Sequence, residues 1–369
     1  MRKPVVVSLV SIVLICLALS AGAGPQDAQN KSDQGVYRKD VDLVSVYFTV
    51  RDNKKQLASE LAEDRFRVLE DGREQPIKFF AHHSDVVLNV GVLLDIGTNM
   101  AWLLNEEAQA SSLFLRHVVR PTDLGFVMSY AARVETVQVP TSDTALLEEK
   151  VQSIQAARGS AGSPGMAPPS GPIPGVGGMP HGPGIGGPGA TGQPYNAQRE
   201  AHLYDALRVS TMRYLSREVG RKAVVVVALS GDSRSESTLE NALEVLLQND
   251  VIAYVLQISD GPRDRSHFDR CDVVHTYDRD QHGEYLLKKL AEATGGRMLE
   301  VRGMDHLEAA LDEISNELHH QYSLGYYPAN RNWDGKFRKI QIEAREHGYT
   351  VFARKGYYAT PRDGASGGR

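Results

Sequence analysis

Val86-Val87-Leu88-Asn89-Val90-Gly91-Val92-Leu93-Leu94-Asp95-Ile96-Gly97-Thr98-Asn99-Met100 is the stretch whose reading decides the fold. The run from Val86 to Leu94 is almost continuously apolar. It lacks the polar alternation of a strand with one wet face, so it predicts a strand buried on both sides. Asp95–Asn99 then reads as a turn. Met100–Val119 follows with helical spacing, with Leu103, Leu104, Leu113, Phe114 and Val118 as its apolar positions.

The same alternation continues outward. Leu124–Tyr130 and Val134–Val139 read as strands, and Ser142–Ala157 as a helix. Ala201–Leu215 is a second helical run, and Ala223–Leu229 is the strongest buried strand of the chain. Thr238–Gln248 is helix, Val251–Ile258 strand, and Tyr285–Ala293 and Met304–Leu318 helices. Buried strands alternating with amphipathic helices predict an α/β fold: an open, mostly parallel, doubly wound sheet spanning residues 83–321.

On either side the pattern is β. In residues 36–82, Val44, Val46, Phe48 and Val50 alternate on one face, and Asp71-Gly72 splits Arg65–Glu70 from Glu74–Phe80 as a hairpin turn should. In residues 322–358, Tyr322–Tyr327, Lys336–Ala344 and Tyr349–Ala353 read as strands. Each set alone is marginal, since small sheets need a face to pack on. The two are therefore expected to pair into one accessory β domain, with the α/β domain inserted between them. The alternative is that 322–327 extends the main sheet. Strand packing is the expected role of the tyrosines from Tyr322 to Tyr358. Lys336, Arg338 and Lys339 read as a solvated strand face.

Composition narrows the function. The chain has 369 residues, 41 Lys+Arg against 46 Asp+Glu, and a formal charge of -5. That balance argues against a nucleic-acid partner. Arg2 and Lys3, an apolar run from Val5 to Leu19, and the small residues Ser20–Ala23 form a secretory signal peptide over residues 1–23. Its removal takes the charge from -5 to -7 and leaves Cys271 without Cys16. The mature protein is expected to be extracytoplasmic, secreted or periplasmic, with no membrane span. Residues 24–35 and 359–369 are polar and expected to be disordered. Residues 159–194 hold 13 of the 34 glycines and 9 of the 17 prolines, with no Asp, Glu, Lys or Arg. Such a segment buries too little apolar surface to order itself. Its Gly184–Gly189 matches G-x-G-x-x-G, but neither strand nor helix flanks it, as a dinucleotide site requires.

Several separated motifs occur in order: Phe66-Arg67-Val68-Leu69-Glu70-Asp71-Gly72, Pro76–Phe80, strand Val86–Leu94 with Asp95-Ile96-Gly97-Thr98-Asn99, Leu203-Tyr204-Asp205-Ala206-Leu207, Gln321–Pro328, Asp334–Ile340 and Ala353–Tyr358. Together they resemble the secreted VWFA-related domain family of acidobacterial type, which carries a von Willebrand factor type A domain. The resemblance implies an adhesion or protein-binding module. It also implies a metal-ion-dependent adhesion site, in which a D-x-S-x-S turn, a Thr and a later Asp hold Mg²⁺. Here Asp95 fills the first position, Gly97 replaces the first Ser, and Asn99 the second. Ala201 falls at the Thr. Ser230-Gly231-Asp232 stands where Ser-Asp-Gly is usual. The metal shell is thus reduced to Asp95, Asn99 and Asp232. The expectation is a degenerate site with no cofactor, and binding of an unknown protein partner through Thr98, Asn99, Ser230, Asp232 and Ser233.

Two other readings stay open. One is a Mg²⁺-dependent adhesion module using that non-standard shell. The other is an enzyme centred on the charged loop 261–284, which holds His267, Cys271, His275 and His282. That spacing fits no standard zinc site, and no G-x-S-x-G elbow surrounds Ser233. The chain is therefore read as non-enzymatic, with no catalytic residues.

Overall fold

A computed structural model describes residues 43–83, 86–97, 101–161, 201–228, 231–258, 270–301 and 304–360. The expected signal peptide over residues 1–23, residues 24–35 and nearly all of the Gly/Pro-rich stretch lie outside them.

The decisive run forms strand β5 (Leu88–Asp95), every residue of which is buried. The residues on its two sides pair in parallel with β6 (Leu124–Tyr130) and β8 (Arg221–Ala228). Strand β9 (Val251–Ile258) continues the sheet beyond β8, and β10 (Met298–Val301) beyond β9, both in parallel. The antiparallel β7 (Val134–Thr141) closes the other end. The six strands run in the order β10-β9-β8-β5-β6-β7.

Helices cover both faces, and the pleat of β8 shows why. Ala223, Val225 and Val227 point into one core, while Val224, Val226 and Ala228 point into the other. The first core packs α1 (Ala101–Val118), α2 (Thr144–Ala161) and α6 (Met304–His319). The second packs α3 (Leu203–Ser210), α4 (Leu239–Gln248) and α5 (Arg270–Thr294). Gly91 is fixed by packing: a Cβ there would lie 2.1 Å from the Phe126 ring.

The terminal strands meet as expected. β1 (Val44–Asp52) pairs antiparallel with β11 (Gln321–Tyr326) and β13 (Tyr349–Ala353), and β11 with β4 (Ile77–His83). A second sheet has the order β14-β12-β2-β3, from Gly356–Tyr358, Phe337–Ala344, Phe66–Glu70 and Arg73–Gln75. The two sheets face each other across Phe48, Phe66, Val68, Tyr322, Tyr326 and Ile340. Residues 322–327 therefore leave the main sheet. The Asp71-Gly72 turn has positive φ at both residues, 49° and 80°, as a two-residue hairpin demands.

Several expectations need correction. The run after that turn is two strands, because Pro76 lacks an amide to continue the ladder and the chain changes sheets there. Residues 159–161 belong to α2 rather than to the insertion. The loop placed at 261–284 is helical from Arg270 onward. The tail expected from residue 359 begins with ordered chain: Ala359 is fully buried and bonds Lys336 through its amide at 2.9 Å. Arg338 is not on a solvated face. It is 2% exposed, with its cation beside Glu70 at 3.5 Å and over the Trp333 ring at 5.7 Å. The Tyr326 and Tyr357 hydroxyls donate to Glu70 at 2.9 and 3.0 Å, so the buried carboxylate is fully engaged. Strands β10 and β14 were not foreseen.

The β module sits at the N-terminal edge of the main sheet. Arg354, just after β13, pairs with Asp250, just before β9, and donates to the Ser45 carbonyl at 2.8 Å. Arg51 on β1 lies 2.5 Å from Glu317 on α6, and Arg297, ahead of β10, reaches the same carboxylate at 2.5 Å. This arrangement leaves the C-terminal edge of the sheet to the loops.

Candidate functional site

Strands β5 and β8 are neighbours, and the strand order reverses between them. The chain leaves β5 toward α1 in one core and returns from β8 toward α4 in the other. In open α/β sheets such a switch point, at the C-terminal ends of the strands, is the usual ligand position.

Asp95 is the last residue of β5 and is 2% exposed. One carboxylate oxygen accepts the Gly97 amide at 2.9 Å, an Asx turn. The Ile96 amide is held by the Tyr130 carbonyl at 2.9 Å. The turn is thus pinned to β6 on one side and to its own aspartate on the other. Gly97 offers no side-chain oxygen. Thr98, Asn99 and Ser230 lie outside the described residues.

Asp232, in the loop after β8, is built into the start of α3. One oxygen accepts the Tyr204 amide at 3.1 Å and the Ser235 hydroxyl at 2.5 Å; the other accepts the Ser235 amide at 3.2 Å. The helix needs this because His202, at its N-cap, offers no side-chain cap. A carboxylate from the neighbouring loop satisfies one orphan amide and complements the helix dipole. Burial and the nearby Asp232 and Glu240 carboxylates push the Tyr204 hydroxyl up to about 12.

Ser233 and Ala201 are bonded both ways: the Ala201 amide donates to the Ser233 hydroxyl at 2.8 Å, and the Ser233 amide to the Ala201 carbonyl at 3.0 Å. Asp205 completes the join by accepting the amides of Glu236 at 2.8 Å and Ser237 at 3.0 Å. Partial burial pulls its carboxyl upward, but the Ser237 hydroxyl and these two amides outweigh it. The Asp205 pKa therefore falls below the ordinary carboxylate value.

The structure thus brings Asp232, Ser233 and Ala201 into one hydrogen-bonded loop–helix unit, while Asp95 ends β5, the strand next to β8. Among the described residues no three His, Cys, Asp or Glu side chains are grouped to hold a metal. His267 lies outside the described residues, as do the side chains of Cys271 and His275; His282 is exposed.

Sequence reasoning missed Asp205, Ser235 and Ser237. Their signal was available: an acidic residue in the first turn of a helix, and a run of alternating serines suited to bonding amides. It also missed the contact between Gly231 and Gly283. A Cβ on Gly231 would lie 2.6 Å from the Gly283 Cα. Helix α5 therefore meets the loop after β8 backbone to backbone, a long-range approach that no local pattern announces.

The strand order with helices on both faces is that of an open, mostly parallel α/β sheet. Solved structures similar to this chain include the conserved hypothetical protein BatB from Bacteroides thetaiotaomicron, 15% identical, covering 63% of this chain and 97% of that one, with a TM-score of 0.40. Another is proximal thread matrix protein 1 from the mussel byssus with a zinc-occupied MIDAS motif, 13% identical, covering 65% of this chain and 50% of that one, with a TM-score of 0.40. A third is the SpRpn10 VWA domain, 10% identical, covering 62% of this chain and 95% of that one, with a TM-score of 0.35. No family model and no curated protein matches the chain. These likenesses are of shape alone.

Proposed function

We propose that this chain is an extracytoplasmic, non-enzymatic protein-binding module of von Willebrand A type, in which the adhesion metal has been given up. The observation that carries the reading is the employment of Asp232. Its two oxygens accept three hydrogen bonds from α3 and its own loop. A carboxylate so engaged is a poor partner for an ion that demands octahedral oxygen ligands. Gly97 and Ala201 add no hydroxyl where the family pattern has one. The donor set does not fit Mg²⁺.

Binding then rests on the loop side chains at the C-terminal edge, with Ser233 and Asp232 holding the loop in shape. The rigid sheet behind them is suited to presenting such loops. The signal-like N-terminus supports a partner outside the cytoplasm.

The test is calorimetric titration of Mg²⁺ and Mn²⁺ into the full chain, alongside Asp95→Ala. The expected result is no saturable heat in the micromolar range. Micromolar binding that disappears in Asp95→Ala would sink the proposal in favour of a metal-dependent module.

A further inference from the structure

Helix α3 does not stop at Ser210. It runs on through a π turn, Thr211–Leu215, in which the Ser216 amide donates to the Thr211 carbonyl at 2.8 Å. Such single π turns often mark functional sites. Leu207, Ser210, Thr211 and Leu215 are buried. Residues four apart on a helix are neighbours, so Arg208, Met212 and Ser216 form one outward row, and Val209, Arg213 and Arg217 the next. Arg208, Met212, Arg213 and Arg217 are exposed. From Arg208 to Arg217 the chain has three arginines and no Asp or Glu, in a protein whose formal charge is -5.

Arg208 donates to the Ser237 hydroxyl at 3.1 Å, and Arg213 lies over the Tyr214 ring at 5.5 Å. None of the three arginines pairs with a carboxylate among the described residues. Asp205, at the head of α3, is taken by the Glu236 and Ser237 amides, and Glu218, just past the face, lies near Lys222. The face ends in an apolar tip. Met212 is 54% exposed and Val219 82%. Val219 is not on a loose loop: its carbonyl accepts the Asn89 side-chain amide at 2.9 Å. Gly220, at φ 96°, passes so close to Val87 that a Cβ there would lie 2.5 Å from the Val87 carbonyl oxygen. The backbone thus holds an apolar side chain out in water beside unpaired cations.

We infer that this face is a second interaction site, which seats the chain on an anionic lipid surface. Charge complementarity sets the sign of the occupant, and the planar fork of arginine suits a phosphate headgroup. Met212 and Val219 select lipid over a hydrated polyanion. Cations flanking apolar side chains fit the boundary between headgroups and acyl chains, whereas an acidic polypeptide gains nothing from an exposed valine. The site lies at the end of α3 away from Asp232 and does not depend on the reading given to the C-terminal edge of the sheet.

The test uses the mature chain expected from signal cleavage, residues 24–369, which keeps every described residue and lacks the apolar run Val5–Leu19 that would bind lipid by itself. Co-sedimentation is measured with vesicles of phosphatidylcholine, alone or with about one-third phosphatidylglycerol. The expected result is binding to the anionic vesicles only, weakened by salt. Arg213→Gln with Arg217→Gln should weaken it roughly tenfold or more, and Val219→Ser roughly threefold. Arg73→Gln with Arg331→Gln removes two exposed charges from the β module and should change nothing. Should a variant fail to fold, the headgroup and salt dependence of the unaltered chain still decides. No binding to anionic vesicles, equal binding to both kinds, unchanged binding of the Arg213/Arg217 variant or an equal loss in the Arg73/Arg331 variant would overturn the proposal. Unchanged binding of Val219→Ser, with polyglutamate displacing the vesicles, would assign the face to an acidic protein instead. A dimer of the free chain that the Arg213/Arg217 variant splits would assign it to a second copy.

Discussion

Arg51 and Glu317 stand 266 residues apart in the chain and 2.5 Å apart in the fold, the first on β1 and the second on α6. Glu317 has no exposed side-chain surface, and it also receives Arg297 at 2.5 Å. The pair fastens the β module to the α/β domain. Glu317→Ala would leave Arg51 and Arg297 with only the part-exposed Glu313 carboxylate, 2.5 and 2.8 Å from them, to answer both cations. We expect a loss of about 1–3 kcal/mol, read as a lowered urea midpoint. A loss below about 1 kcal/mol would mean that the modules are held by apolar packing alone.

Asp232 is assigned a structural task, and that can be measured in metal-free buffer. Asp232→Ala removes the cap of α3 and should cost about 1 kcal/mol in chelator-treated protein. A residue reserved for a metal would show no cost there.

The lowered pKa of Asp205 ties stability to acid pH. Its carboxylate is favoured in the folded state, so its contribution is complete above the unfolded value of about 3.9 and is lost as pH falls through the lower folded value. The difference in denaturation midpoint between the wild type and Asp205→Asn should be constant from pH 7 to about pH 5 and shrink below about pH 4. A gap that widened with acid would contradict the assignment.

Gly231 is held by proximity to Gly283 rather than by its own backbone. Gly231→Ala should push α5 from the loop after β8, at a cost of about 1–3 kcal/mol. Amide exchange should rise in residues 231–238 and around Gly283 while the β module is unaffected. Equal exchange in both variants would show that the contact is slack.

Much of the fold was legible because its signals are local. The apolar run Leu88–Leu94 can only be a strand with both faces covered, and Thr238 before Leu239 marks a helix start that the structure shows capped, with its hydroxyl 3.2 Å from the Asn241 amide. Asp71-Gly72 announces its turn because those two residues tolerate positive φ. Less legible were the short strands β10 and β14, whose few residues carry too little pattern to register. Asp95 and Asp232 could be picked from motif positions, but their use could not.

The sequence by itself determined the order of buried strands and amphipathic helices, the turn at Asp71-Gly72, and the departures from the metal pattern at Gly97 and Ala201. These follow from side-chain type and spacing alone. Only the tertiary structure decided that Asp232 closes α3, that Glu317 joins two modules, that Arg338 is buried against Glu70, and that Val219 is held out in water beside Val87. Each depends on contacts between residues far apart in the chain, and a carboxylate or a cation looks the same in sequence whether it is solvated, buried or waiting for a partner.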